Sequence, residues 1–364
     1  MATESEGAGR PAGEGGVQSP SRREVLGRIA LGLGVLACGR ALGQPAEGAG
    51  YVGVETSART GLSRARFFSA AGTPLGAVPL DFRAHGLARH GDALVAFPRR
   101  PGTRFALMHL PTLEVRGVVE APPGRHFYGH GAFAPDGRTL LVTENDLATL
   151  DGGVGVYEVA GPPRRLGTIP LRGPGPHDIH RDPAGRVHVA LGGLRTHPDY
   201  GRAPLNIHEF ESGIVALDLA RGEADRLERW PGTEGVSLRH LATDGRGRTY
   251  IGGQRPDGSR EGGVLWLREG GALRALDPDG LLGGYVSSVA ADGDAALATS
   301  KETGVAIRLE AGRITGTHRI DGASAAALGP RLEALSGYGA LSLGGGTIHA
   351  APLHEFDNHG LAIV

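Results

Sequence analysis

Apolar positions along this chain fall in short β-rich runs rather than on helical faces. Leu140-Leu141-Val142-Thr143, Gly153-Val154-Gly155-Val156-Tyr157-Glu158-Val159 and Arg165-Leu166-Gly167-Thr168-Ile169-Pro170-Leu171 are typical, punctuated by glycine and proline. A phrase recurs at the head of such groups: a histidine, a brief apolar alternation, an Asp/Gly turn and another apolar run. It reads His130-Gly131-Ala132-Phe133-Ala134-Pro135-Asp136-Gly137-Arg138, then His177-Asp178-Ile179-His180-Arg181-Asp182-Pro183-Ala184-Gly185-Arg186, then His240-Leu241-Ala242-Thr243-Asp244-Gly245-Arg246-Gly247-Arg248. His85-Gly86-Leu87-Ala88 returns as His359-Gly360-Leu361-Ala362 close to the last residue. Each copy predicts a strand, a tight turn and a strand.

The spacing turns these strands into an architecture. His85 to His130 is 45 residues, His130 to His177 is 47, and His177 to His240 is 63 because residues 195–211 are inserted. Weaker copies lie around Ser288 and Ser324. A period in the forties built from short strands is that of a β-propeller blade. The unit beginning at His130 supplies four strands, at 130–134, 139–143, 153–159 and 165–171. Six internal blades follow from the repeat starts. Residues 51–56, 64–69 and 74–80 give three strands without an inner one, and 359–364 gives the missing strand. The expectation is an all-β, seven-bladed propeller over residues 50–364, closed by sharing one blade between the chain ends, which leaves no open sheet edge.

The segment before residue 50 reads differently. Residues 1–20 are polar, rich in Gly and Glu, and predicted to be disordered. Ser21-Arg22-Arg23-Glu24-Val25-Leu26 matches the twin-arginine export pattern, and the short apolar stretch Ile29–Ala37 completes a signal peptide over 21–43. The single cysteine, Cys38, follows that stretch. Two readings stand: a lipid-acceptor cysteine, which would be the only membrane attachment, or a residue discarded with the signal. Either way the mature domain has no disulfide. The twin-arginine route carries folded proteins, often with a metal or cofactor already loaded. It points to the periplasm.

With 364 residues, the chain spends about 315 on the propeller, and its 63 glycines suit the many tight turns. Formal net charge is −1, so no general attraction to nucleic acid or anionic membrane follows. Nearly all basic residues are arginine, a pattern that codon bias explains, so individual arginines are argued from position.

In a propeller the start of each inner strand and the loop after each second strand open on one face. His85, His130, His177, His240 and His359 should therefore gather at one mouth of the channel, with Ser288 and Ser324 in the equivalent places of the remaining blades. The same face receives Arg99, Arg100, Glu144, Asp146, Arg195, His197, Asp199, Tyr200 and Arg202, with His126 and Tyr128 just ahead of His130. Neutral imidazoles suit iron, copper, zinc and nickel, and Glu144 is a candidate carboxylate ligand beside them. The competing reading is that the histidines bond neighbouring blades and lock the ring. The insertion 195–211 is read as a binding loop or lid against the alternative of a solvated surface loop. There is no nucleophile elbow, P-loop or haem-attachment motif.

Several segments together resemble a known family. They are Arg99-Arg100-Pro101-Gly102-Thr103, Gly124-Arg125-His126-Phe127-Tyr128-Gly129-His130-Gly131, Thr143-Glu144-Asn145-Asp146, Gly175-Pro176-His177-Asp178, Arg195-Thr196-His197-Pro198-Asp199-Tyr200-Gly201-Arg202, Arg239-His240-Leu241 and Asp357-Asn358-His359. The chain resembles twin-arginine-exported bacterial propellers of the domain-of-unknown-function family fifteen-thirteen, similar in fold to YVTN and quinoprotein amine dehydrogenase propellers. The turn after His85 and the late blades are shorter here than in that family. The resemblance implies a role in iron uptake beside imelysin-like and di-haem peroxidase-like proteins, and it carries no catalytic residues.

Three functions are therefore expected, in this order. The first is metal binding, with iron or copper held by His85, His130, His177, His240, His359 and Glu144, and an associated ligand met by Arg99, Arg100, His126, Tyr128, Asp146, His197, Asp199, Tyr200 and Arg202. The second is a lactonase-like hydrolase or other propeller enzyme, with Glu144 as general base and Arg195 polarising a carbonyl. The third is a protein-docking rim.

Overall fold

A computed structural model describes residues 48–277, 279–330, 332–343, 346–348 and 354–363. The twin-arginine segment and Cys38 lie outside them. Among the described residues, no helix is long and apolar enough to cross a membrane.

Seven four-stranded antiparallel sheets form the blades. Blade 1 is ordered 354–362, 49–57, 63–69, 74–79, so the last strand of the chain is the inner strand of the first blade, as the sequence predicts. Tyr51 pairs with Ala362, and Glu55 with Phe356. The inner strands of blades 2 to 7 are Ala84–His90, Arg125–Phe133, Pro176–Arg181, Ser237–Thr243, Ser288–Asp292 and Ala325–Gly329. The unit predicted from His130 is blade 3, with strands at Arg125–Phe133, Thr139–Asp146, Gly152–Glu158 and Arg164–Pro170. Its inner strand starts earlier than predicted because Arg125 and His126 already pair with Asp146 and Asn145.

Burial grades outward through each blade. Every residue of the inner strand Ser237–Thr243 is buried, whereas Glu114–Glu120 alternates and Arg313–Arg319 is almost wholly exposed. Apolar residues pack between adjacent blades, as Tyr250, Ile251 and Trp266 of blade 5 do with Ala296, Ala298 and Ile307 of blade 6. The polar outermost strands leave edges that do not invite pairing. On the far face the Asp/Gly phrases make turns: Asp136 accepts from the Arg138 and Thr139 amides, and Asp244 from the Arg246 and Arg248 amides. Gly137, Gly185 and Gly247 take the positive φ those turns need.

The histidine phrase carries a second feature. In the five blades that bear it, the inner strand bulges at or beside the histidine. His85 and Gly86 fall between the pairs Ala84–Pro98 and Leu87–Ala96, and His177 falls between Pro176–Leu191 and Asp178–Ala190. Tyr128, Gly129 and His130 oppose Thr143 alone, Asp357, Asn358 and His359 oppose Val54 alone, and Arg239 is the extra residue before His240. Inner strands of blades 6 and 7 pair without a shift. A bulge re-aims side chains off the regular pleat, and here it goes with the imidazoles of five blades meeting at the axis.

Candidate functional site

The five histidines form one contiguous cluster. Ring centroids are 4.9 Å apart for His85–His359, 4.6 Å for His130–His359, 5.1 Å for His85–His130 and His130–His177, 5.0 Å for His177–His240 and 5.1 Å for His240–His359. Close approach of blades 2 and 3 depends on two glycines: a Cβ on Gly86 would stand 2.3 Å from the Gly129 carbonyl oxygen, and Gly129 itself has φ +117. Below the cluster an axial cavity of about 370 Å³ continues down the inner strands, lined by His130, Asp178, His180, Arg181 and His359 as well as by alanines, leucines and other apolar residues.

Within the cluster, one ligand atom each from His85, His130 and His359 lies within 4.8 Å of the others. Three imidazole nitrogens at about 2.1 Å from one ion need separations of roughly 3.0–3.4 Å. From 4.8 Å that is a contraction of up to about 1.4–1.8 Å, which rotation of the side chains would have to supply to close the triad on a metal. Two carboxylates prepare it. Asp357 Oδ1 is 2.5 Å from His85 Nδ1 and its Oδ2 accepts from Arg99 at 3.0 Å. Asp178 Oδ1 is 3.2 Å from His130 Nδ1, and its Oδ2 accepts from the Leu241 amide at 2.9 Å. Each carboxylate fixes Nδ1 as the protonated nitrogen and leaves Nε2 with its lone pair, the arrangement seen around histidine metal ligands.

Burial favours the neutral form of four of the five imidazoles. Burial holds His85 down to about 4, against the opposing pull of Asp357. Burial, then Arg239 and neighbouring histidines, hold His177 well below its usual value. Burial and His359 do the same to His240, and burial with His130 and His85 to His359. His130 Nε2, His177 Nδ1, both ring nitrogens of His240 and His359 Nε2 are buried with no hydrogen-bond partner. Buried polar atoms rarely go unsatisfied, and a cation is what lone pairs converging from several strands can satisfy. The ring-lock reading is met in part: His85 pairs with Asp357 of blade 1 and His130 with Asp178 of blade 4. Among the described residues none of the five side chains bonds a neighbouring blade's backbone. Blades are also tied by Asp178 to Leu241, by Thr299 to the Ser324 carbonyl and by Ser324 to the Phe356 carbonyl.

Glu144 does not join the histidines. Its residue is fully buried, and its carboxylate leans outward over Gly155 to Arg165, at 2.7 and 3.0 Å, with Arg125 at 3.3 Å and Thr168 at 3.2 Å. A Cβ on Gly155 would meet Glu144 Oε2 at 2.8 Å, so that glycine clears the path. The carboxylates beside the imidazoles are instead Asp357 and Asp178. The expectation passed over both: Asp357 stands two residues before His359 and Asp178 directly after His177, yet their partners are His85 and His130 on neighbouring blades. Asp146 accepts from Arg125 and from the Ala148 and Thr149 amides. With Arg195 it lines a separate cleft of about 1420 Å³ between blades 3 and 4.

The remaining predicted residues divide. Arg100 lies over the Tyr128 ring at 4.7 Å and donates to its hydroxyl, and Tyr128 faces the His177 ring at 6.4 Å. His126 stacks on Tyr128 at 5.9 Å. The insertion is anchored there through Thr196, whose hydroxyl is 3.3 Å from that of Tyr128 and whose carbonyl accepts from Asn145. His197 is half-buried and pairs with Asp199, while Asp199, Tyr200 and Arg202 are exposed at the rim. Asn206 ties the loop's two limbs, bonding the Arg195 amide and the Gly193 and Glu209 carbonyls. The loop is thus a structured rim rather than a solvated excursion.

Over residues 78–363 the chain matches the family described as "Protein of unknown function (DUF1513)", and it belongs to that family. No curated protein matches it.

Proposed function

We propose that this DUF1513 propeller is a periplasmic metal-binding protein that holds iron or copper in its histidine cluster and serves bacterial iron uptake. The observation that carries the reading is the convergence of His85, His130 and His359 ligand atoms within 4.8 Å, with carboxylates already seated behind two of them. Bound iron or copper would supply a redox-capable cation; His85, His130 and His359 would hold it, with Asp357 and Asp178 seated behind two of them. His177 and His240 extend the set to five and offer replacement ligands as geometry changes. The export motif Ser21-Arg22-Arg23 supports delivery of a folded, metal-loaded domain to the periplasm, with Cys38 as the one candidate lipid anchor. Partners resembling imelysin and di-haem peroxidases fit the family resemblance. A hydrolase using Glu144 as base has less support, because both its oxygens are engaged by arginines away from the channel.

Elemental analysis of protein purified without chelator or an affinity metal tests the reading. Near-stoichiometric iron or copper, lost on combined His130→Ala and His359→Ala substitution while the β-rich circular dichroism persists, is expected. Metal-free wild type that also fails to take up added iron or copper overturns it.

A further inference from the structure

Above the histidine cluster the mouth collects cations that no acid answers. Arg239 is the extra residue of the blade 5 bulge. It is only 8% exposed, and its Nε is buried without a hydrogen-bond partner. Among the described residues no carboxylate lies within ion-pair distance of Arg83, Arg100, Arg202, Arg239 or Lys301, whereas arginines elsewhere in the fold pair freely, as Arg125, Arg165 and Arg248 do. Arg239 and Lys301 approach the Tyr285 ring at 6.0 and 5.5 Å, and Arg100 covers Tyr128. These cations are mutually close. Burial, and after it the repulsion of Arg100, brings Arg239 down to about 10, and burial, then Arg99 and Arg100, lowers Arg202. A buried unpaired guanidinium such as that of Arg239 is costly to keep, and the neighbouring Arg100 and Arg202 add their repulsion.

We propose that the mouth is an anion site: a small multivalent oxyanion, bearing carboxylate or phosphate groups, is clamped by Arg100, Arg202 and Arg239 directly over the histidines. Planar guanidiniums offer paired N–H donors to such oxygens, and Tyr128 and Lys301 add a hydroxyl and an ammonium. The anion would enter from the arginine face. It would neutralise the mouth and could bring oxygen ligands to a cation held by His85, His130 and His359. The inference deepens the metal-binding reading without needing it, because the anion is measured on metal-free protein.

The experiment is calorimetric titration of chelator-stripped protein with citrate, inorganic phosphate and acetate at low ionic strength. Citrate or phosphate, or both, should bind far more tightly than acetate, and citrate alone or phosphate alone identifies which oxygens the site prefers. Arg239→Met keeps the side chain's bulk and removes the charge. It should weaken binding by about tenfold or more while the anion-free protein melts at the same or a higher temperature. Arg100→Met should weaken binding comparably, and Arg313→Met, on an outermost strand, should change nothing. Absence of binding by both polyanions, or equal affinity in wild type and Arg239→Met, overturns the proposal. A lower melting temperature for anion-free Arg239→Met would assign the arginine to packing, and overturns it too.

Discussion

Burying neutral imidazoles makes the metal-free protein acid-labile in a window where few other groups titrate. A histidine whose folded pKa lies below its unfolded one takes up protons preferentially in the unfolded chain. Its folded-state contribution is intact above about pH 6.5 and is lost as pH falls toward the folded pKa. For His85, held down to about 4, the loss between about pH 7 and about pH 5 is on the order of 2 kcal/mol. His177, His240 and His359 lie well below the usual range and burial holds His180 down to about 4; each is limited to about the same ~2 kcal/mol at that pH, because protonation of the unfolded chain sets the ceiling. With His85 these five groups reach about 10 kcal/mol, against a typical domain stability of roughly 5–15 kcal/mol. Carboxylates remain ionised through most of this interval, so the slope belongs to histidines. Urea unfolding of chelator-stripped protein should show the midpoint falling steeply from about pH 7 to about pH 5. His240→Leu, which removes two unpartnered ring nitrogens, should flatten the slope by about a fifth and cost little stability at neutral pH. A midpoint that moves by less than about 1 kcal/mol equivalent across the window would refute the picture of buried neutral imidazoles.

Other consequences follow from single contacts. Asp357→Asn weakens the acceptor for His85 Nδ1 and should lower metal affinity by about 10–100-fold in a competition titration with a chromophoric chelator, with little effect on folding. Glu144→Ala strips the carboxylate from Arg165 and Arg125 in a buried network; it should destabilise by about 3–5 kcal/mol in chemical denaturation yet leave metal content unchanged, because the network stands apart from the histidines. Gly86→Ala sets a methyl group 2.3 Å from the Gly129 carbonyl oxygen and should cost about 1–3 kcal/mol through forced backbone movement, read as a lowered melting temperature together with weakened metal binding.

The propeller was legible because its information is periodic: five histidine phrases and their Asp/Gly turns mark blades whose strands then appear within a few residues of the expected bounds. The closing blade was equally legible, since a lone strand phrase at His359 had no partner except the headless first blade. The histidines were legible as a set for the same reason. What one sequence does not display is the direction of a side chain on a strand that leaves its register. Glu144 sits on the blade beside His130 and was a reasonable ligand by position. The pleat turns it outward over Gly155 to an arginine on the fourth strand, and nothing in the local run distinguishes that from an inward carboxylate. Asp357 and Asp178 are the converse. The bulges bring them behind imidazoles of adjacent blades: Asp178 reaches His130 of the preceding blade, and Asp357 meets His85, 272 residues away, only once the ring closes.

The same bulges connect the two halves of the mouth. A regular inner strand has no extra residue to turn toward the axis or the rim, as blades 6 and 7 show with serines in the equivalent places. A bulged one has at least one residue more than its partner strand. In blade 5 that residue is Arg239, one step from His240, so the device that accompanies an imidazole at the axis also places a guanidinium in the mouth. Around the ring, bulges in five adjacent blades gather imidazole donors at the axis, while loops and one bulge gather cations at the mouth. A layer of imidazole donors suits a metal ion, and a layer of unpaired cations suits its anionic ligand. Either layer alone has another explanation: imidazoles can fill a channel, and arginines can decorate a rim. Tyr128, against both Arg100 and His177, joins the two layers, so the proposed anion and the proposed metal would share one site.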